Sequence, residues 1–331
     1  MELYEKNGNP IYILNVLKKY SDEEHKLSAV EIQRKVKEIY DVDIDPRTIR
    51  RNINLLKFKL EYDISTREEN GQGYYINRNP ETDFEPGEVR AIIDTFSYAN
   101  YIVPSISKTV IQKCKNMQNI YENKKLRDYK IYANDTKTDN MEVIKNIEDI
   151  SEAIQNLSKI EFEYWKYTMD EKIKKEIVST PKVTPYALVY NKQEFYMIGI
   201  KEGQENFYNY RLDRIKNLKQ LEEKRTISKT SKEIREYAES LVEMFGGEKE
   251  EIEVICKDVL LDTVFEDFGK EIDVKKIDNK TFKVKIQANV RGFKFWAMRN
   301  MDAVEVLKPI TLRNEIKEII QDAEKRYKKE V

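Results

Sequence analysis

The apolar positions near the start of the chain recur at helical spacing. In "PIYILNVLKKY", residues 10–20, a proline opens a segment with one apolar face, which predicts a first helix. Ser28 with Glu31 fits a capping box, and Ala29, Ile32, Val36 and Ile39 follow at helical spacing, which predicts a second. Asp45 can cap a third helix whose first position is Pro46. There Ile49, Ile53, Leu56 and Leu60 form a row expected to be buried, while Arg47, Arg50, Arg51, Asn54 and Lys57 take the opposite side. The next stretch, "YDISTREENGQGYYI" from Tyr62 to Ile76, alternates, turns at Asn70-Gly71 and returns, which predicts a β-hairpin carrying Arg67.

"NPETDFEPGE", Asn79 to Glu88, is rich in proline and acid and reads as a linker. Three helical stripes come next: Val89, Ile92, Ile93 and Phe96; then Val110, Ile111, Cys114, Met117 and Tyr121; then Met141, Ile144, Ile147, Ile150, Ile154 and Leu157. From Lys159 the period changes to two. "IEFEYWKY", "VTPYALVY", "EFYMIGI" and "NFYNYRL" read as four or five short strands, which suggests a small barrel or a strongly bent sheet. "TSKEIREYAESLVEMFGG", Thr230 to Gly247, reads as a helix ending at paired glycines. The remainder runs strand, helix, strand, strand, helix, strand, with a turn at Asp278-Asn279-Lys280, and suggests a compact ferredoxin-like α+β unit in which Phe293 and Trp296 are core or dimer contacts.

Composition sharpens this picture by exclusion. The 331 residues exceed one comfortable core, and an apolar share of 40% with 36% charged residues describes a globular, well-solvated chain. The two cysteines, Cys114 and Cys256, are far apart, and His25 is the only histidine. Their scatter argues against a zinc site, disulfides and histidine-based catalysis, so no metal or cofactor is expected and a reducing, cytoplasmic location is. No apolar run approaches the roughly 18 to 20 residues of a membrane helix. Sequences diagnostic of phosphate loops, zincins and nucleophile elbows are missing, so an enzyme is not expected.

The formal charge is nearly balanced, with 59 basic against 60 acidic residues. Any affinity for nucleic acid must therefore be local. The third helix is the candidate: between Asp45 and Leu60 it carries Arg47, Arg50, Arg51, Lys57 and Lys59 and no further acid. Such a face can be merely solvated, or it can contact phosphates and base edges. Three helices followed by a hairpin compose a winged helix-turn-helix, in which the third helix would enter the major groove and the hairpin would lie along the backbone. Arg47, Thr48, Arg50, Arg51, Asn54, Lys57 and Arg67 are the expected contacts to double-stranded DNA.

Three resemblances support this reading. "TIRRNI", Thr48 to Ile53, and "GQGYYI", Gly71 to Ile76, resemble the recognition helix and wing end of DeoR-type winged helices, with Asn52 where that family often has Asp. "VTPYALVYNKQEFYMIGI", Val183 to Ile200, with "YRLDRI", Tyr210 to Ile215, resembles a WYL domain, a ligand-sensing module with an Sm-like small β-barrel. Its namesake triplet is Phe195-Tyr196-Met197 here, and Tyr208 stands where an arginine is frequent. The last hundred residues resemble the WYL C-terminal extension domain. The resulting organisation is multidomain α+β: a winged helix over 1–80, a helical connector over 81–144, the barrel over 145–228 and the extension over 229–331.

The WYL resemblance implies regulation by a nucleic-acid or nucleotide-like ligand. From the residues alone, Tyr164, Tyr186, Tyr196, Arg211 and Arg214 can combine guanidinium groups with aromatic faces, suited to phosphates and stacked bases. Equally, Arg214 can pair with Asp213 or a carbonyl, and the tyrosines can simply pack with their hydroxyls outward. The expected function is a ligand-responsive transcriptional regulator, acting as a homodimer on two half-sites. The alternative is a nucleic-acid-binding accessory of a nuclease or phage-defence system.

Overall fold

The computed structural model describes residues 9–126, 136–169, 172–191, 193–239, 241, 245 and 249–328. The chain divides into two compact units, Met1–Asp139 and Asn140–Val331.

In the first unit, helices α1 (Asn9–Tyr20), α2 (Ala29–Tyr40) and α3 (Pro46–Phe58) enclose a core of Ile13, Leu17, Ile32, Val36, Ile49 and Ile53. The caps read from sequence fix the starts. Ser28 and Glu31 close a reciprocal capping box, and Asp45 accepts from the amides of Arg47 and Thr48. Two predicted core positions lie outside. Leu60 is exposed because α3 ends at Phe58, before the next turn could carry it inward, and Ile39 is exposed at the end of α2.

The hairpin differs from its prediction. Strands β1 (Ile64–Ser65) and β2 (Tyr75–Ile76) pair antiparallel over two residues each. Between them runs a one-turn helix, α4 (Arg67–Asn70), and Gly71, at φ 75°, ends that helix. Asn70-Gly71 is therefore a helix stop and not the tight turn between strands. Leu27 adds a bridge to Tyr74, and a side chain at Gly73 would meet the Leu27 carbonyl oxygen at 2.7 Å, so only glycine fits there.

Helices α5 (Pro86–Tyr98), α6 (Pro104–Asn116) and α7 (Ile120–Lys125) complete the described part of the unit around Val89, Ile93, Ile111, Cys114 and Leu126. Cys114 is a small buried hydrophobe there. The predicted second stripe breaks at its end: Met117 is exposed, and Tyr121 belongs to α7, where its ring stacks on His25.

The second unit opens with α8 (Val143–Gln155). Its buried face is Val143, Asn146, Ile150 and Ala153, so the predicted stripe was rotated, and Met141, Ile144 and Leu157 are exposed. Three successive spacings of three, from Met141 to Ile150, precess around a helix of 3.6 residues per turn. Six strands follow: β3 (Ser158–Met169), β4 (Ile173–Ser179), β5 (Lys182–Asn191), β6 (Glu194–Lys201), β7 (Phe207–Arg211) and β8 (Ile215–Lys224). They form one curled antiparallel sheet, in the order β4-β3-β5-β6-β7 with β8 also on β3. Strand β4 escaped the sequence reading because it is exposed at every position, so no apolar alternation marks it.

Helix α9 is described over Ser231–Glu239, and Gly246 and Gly247 of the predicted helix end lie outside the described residues. The final elements are β9 (Glu250–Lys257), α10 (Leu261–Phe268), β10 (Asp273–Lys276), β11 (Thr281–Ala288), α11 (Val290–Arg299), β12 (Val304–Lys308) and α12 (Ile310–Tyr327). The sheet order is β10-β11-β9-β12, and Phe293, Trp296, Val284 and Ile252 form its core. Cys256 is fully buried in that sheet, which pushes its thiol pKa up to about 12 and leaves it inert. No helix among the described residues is long and apolar enough to cross a membrane.

Candidate functional site

Two clusters of predicted site residues can be built up from the elements that carry them. The first is the outer face of α3. Burial of Ile49, Ile53 and Leu56 turns Arg47, Arg50, Arg51 and Asn54 to solvent. Arg50 and Arg51 make no ion pair among the described residues. Two other predicted members are committed elsewhere. The Thr48 hydroxyl donates to Asp45 Oδ2 at 2.6 Å, so it belongs to the helix cap. Lys57 donates to the Ile64 carbonyl at 2.8 Å and pairs with Glu69 at 2.5 Å, and that contact, with the Thr66 amide, holds the Glu69 carboxyl down to about 2. Lys57 thus fastens α3 to the hairpin. Arg67 is exposed on α4 and not on a strand.

The second cluster lines an open pocket of about 620 Å³ on the curled sheet. Strand β3 supplies Tyr164 and Lys166, β6 supplies Tyr196, β7 supplies Tyr208 and Arg211, and the 3₁₀ turn Leu212–Arg214 supplies Arg214. The register explains the convergence, since Tyr196 lies directly across from Arg211. Tyr164 is buried, meets the ring of Tyr210 edge-on at 5.4 Å, and accepts a hydrogen bond from the Arg211 amide at 3.2 Å. Burial raises the pKa of Tyr164 and Tyr196, and pushes that of Tyr210 up to about 12, so all three stay protonated and can donate.

Arg211 is not free for a ligand. Its guanidinium grips Asp213 through two bonds, at 3.0 and 2.9 Å, and donates to Glu194 at 2.6 Å. Burial opposes its charge, but the two carboxylates outweigh that and raise its pKa. Glu194 is raised as well, because its burial outweighs the attraction of Arg211, and its second oxygen is buried without a hydrogen-bond partner. The pairing with Asp213 that the sequence offered to Arg214 is therefore made by Arg211 instead. Arg214 lines the same pocket, half-buried, and makes no hydrogen bond or ion pair among the described residues. It is the better placed cation for an anionic ligand.

Tyr186 falls outside the pocket. Its hydroxyl donates to the Ile227 carbonyl at 2.5 Å and its ring packs edge-on against Phe207, so it is structural. Sequence reasoning missed Lys166, Lys201 and Phe245 as wall residues. Lys166 could have been found, since it shares the pocket-facing parity of Tyr164 on an alternating strand. Phe245 could not: it comes from beyond α9 and stacks on Phe295 at 5.0 Å under the Arg291 guanidinium. Among the described residues, no group of His, Cys, Asp and Glu side chains is arranged to hold a metal.

The WYL domain family matches residues 145–220, so a WYL domain is present, and the pocket is built chiefly on it. No curated protein matches the chain. Solved structures similar to it include the following two. One is the proteasome accessory factor B/C (PafBC) of Arthrobacter aurescens, at 12% identity and a TM-score of 0.26, with 98% of this chain and 49% of that chain covered. The chain therefore spans about half the length of that structure. The other is a CRISPR Cas-related protein, at 13% identity and a TM-score of 0.38, with 98% of this chain and 92% of that chain covered.

Proposed function

We propose that the chain is a DNA-binding transcriptional regulator whose first unit works as a winged helix-turn-helix and whose WYL pocket receives an anionic, aromatic effector of the nucleotide or single-stranded nucleic-acid class. One observation carries the DNA reading: α3 buries Ile49, Ile53 and Leu56 and leaves Arg47, Arg50, Arg51 and Asn54 exposed together. Arginines without internal partners can release counterions from phosphates and form bidentate bonds to guanine. A homodimer would place two such helices on half-sites about 34 Å apart. The pocket, with Arg214 beside three protonated tyrosine hydroxyls, supports binding chemistry.

The test is recovery of genomic DNA fragments on the purified full chain, with and without short oligonucleotides. An enriched inverted repeat whose retention depends on Arg50 and Arg51 supports the reading. If retention is independent of these arginines but is lost with Arg214, the chain is instead a nucleic-acid-binding accessory acting through its WYL pocket.

A further inference from the structure

Strand β3 belongs to the curled sheet only in its first half. Its pairing with β8 ends at Tyr164 opposite Ile215, and from Trp165 to Met169 it pairs only with β4. Among the described residues β4 in turn pairs only with β3. The two strands therefore form a ribbon with open backbone on both sides, and an isolated two-stranded ribbon is marginal in water. One of its faces carries exposed apolar side chains around Lys175: Tyr167 at 62%, Met169 at 83%, Ile173 at 72% and Ile177 at 50%. Such a face on an open edge marks an association site.

The geometry points to a second copy of this chain as the occupant, joined β4 to β4 in antiparallel fashion. A two-fold axis perpendicular to the sheet keeps like faces together, so paired residues share parity. Centred on Lys175, the pairing sets Ile173 opposite the partner's Ile177 on the apolar face. It sets Lys174 opposite the partner's Glu176 on the other, and the symmetry makes each pair twice. At the axis the two Lys175 side chains need not collide, because each leans over its own Trp165 ring, 4.6 Å from the centroid. Centred one residue on, the same strand would oppose the two Glu176 side chains and lose both ion pairs. The outer edge of β3, with Lys166 its only charge between Trp165 and Met169, has no self-complementary register.

This inference rests on the reading of the chain as a homodimer and assigns its surface. The test uses the full chain. In the Lys175→Cys variant the two thiols would lie on Cα atoms about 4.5 to 5.5 Å apart, within disulfide range, so mild oxidation should give a covalent dimer. The Lys166→Cys control sits three strand spacings from its symmetry mate, about 14 Å, and should not cross-link. In sedimentation experiments, Lys174→Glu or Glu176→Lys alone should weaken the dimer at least about 5-fold, and the double exchange should restore it. A dimeric wild type without the cross-link, or without rescue by the double exchange, overturns the β4 surface and leaves the homodimer reading standing. A wild type that stays monomeric overturns both.

Discussion

Arginine plays opposite parts in the two units. On α3, Arg50 and Arg51 stand exposed with no ion pair among the described residues, above a row of isoleucines that fixes the helix. In the curled sheet, Arg211 is half-buried and held by Asp213 and Glu194. The same guanidinium is a free charge in one place and a structural tie in the other. What separates the two is the presence of carboxylates within reach, and that depends on strand register, which no helical periodicity reports. Within the pocket the contrast repeats at closer range: Arg211 is tied and Arg214, three residues on, is not.

The largest expected effect breaks the tied side. Arg211→Ala leaves Glu194 and Asp213 buried without their cation and should cost about 3 kcal/mol, read as a fall of several degrees in melting temperature. The Arg50→Ala/Arg51→Ala pair should leave the melting temperature unchanged and weaken DNA binding about 10- to 100-fold. It should also reduce the slope of log affinity against log salt by about two, as a fluorescence anisotropy titration would show. If the two variants exchanged these phenotypes, the contrast would be wrong.

Smaller effects sharpen it. Arg214→Ala should weaken a phosphorylated oligonucleotide probe about 5- to 10-fold in calorimetry without loss of stability. A pH dependence follows from Glu194, whose pKa is raised by burial. As pH falls through that raised value the carboxylate is neutralised, Arg211 loses one counter-charge, and probe binding should strengthen by a factor of about two or three. Its own contribution to stability should also rise with that protonation, since the folded state binds the proton more tightly than the unfolded chain. Glu194→Gln should flatten both profiles.

The helix starts were legible in detail. Ser28, Asp45 and Pro46 act within a few residues of themselves, and local chemistry is written locally. The row Ile49, Ile53, Leu56 was legible for the same reason, and failed only at Leu60, where the helix stopped first. The hairpin was legible in outline, yet its Asn-Gly pair ends a helical turn that the alternating pattern concealed. Of five predicted pocket residues, Tyr164, Tyr196, Arg211 and Arg214 converge. Tyr186 does not, because β5 hands its hydroxyl to Ile227, a partner 41 residues away.

The order of elements, the cationic side of α3 and the WYL domain were thus set by residues whose effects are local or whose motif is contiguous. Tertiary structure alone decided which arginine was neutralised, that Lys57 ties α3 to Glu69, and that β4 exists as an exposed edge. The Lys57–Glu69 pair depends on how two helices pack, and the Glu194–Arg211 tie and the β4 edge depend on strand pairing, where a shift of one residue reverses every side chain. A linear pattern carries no record of that choice until the sheet has closed.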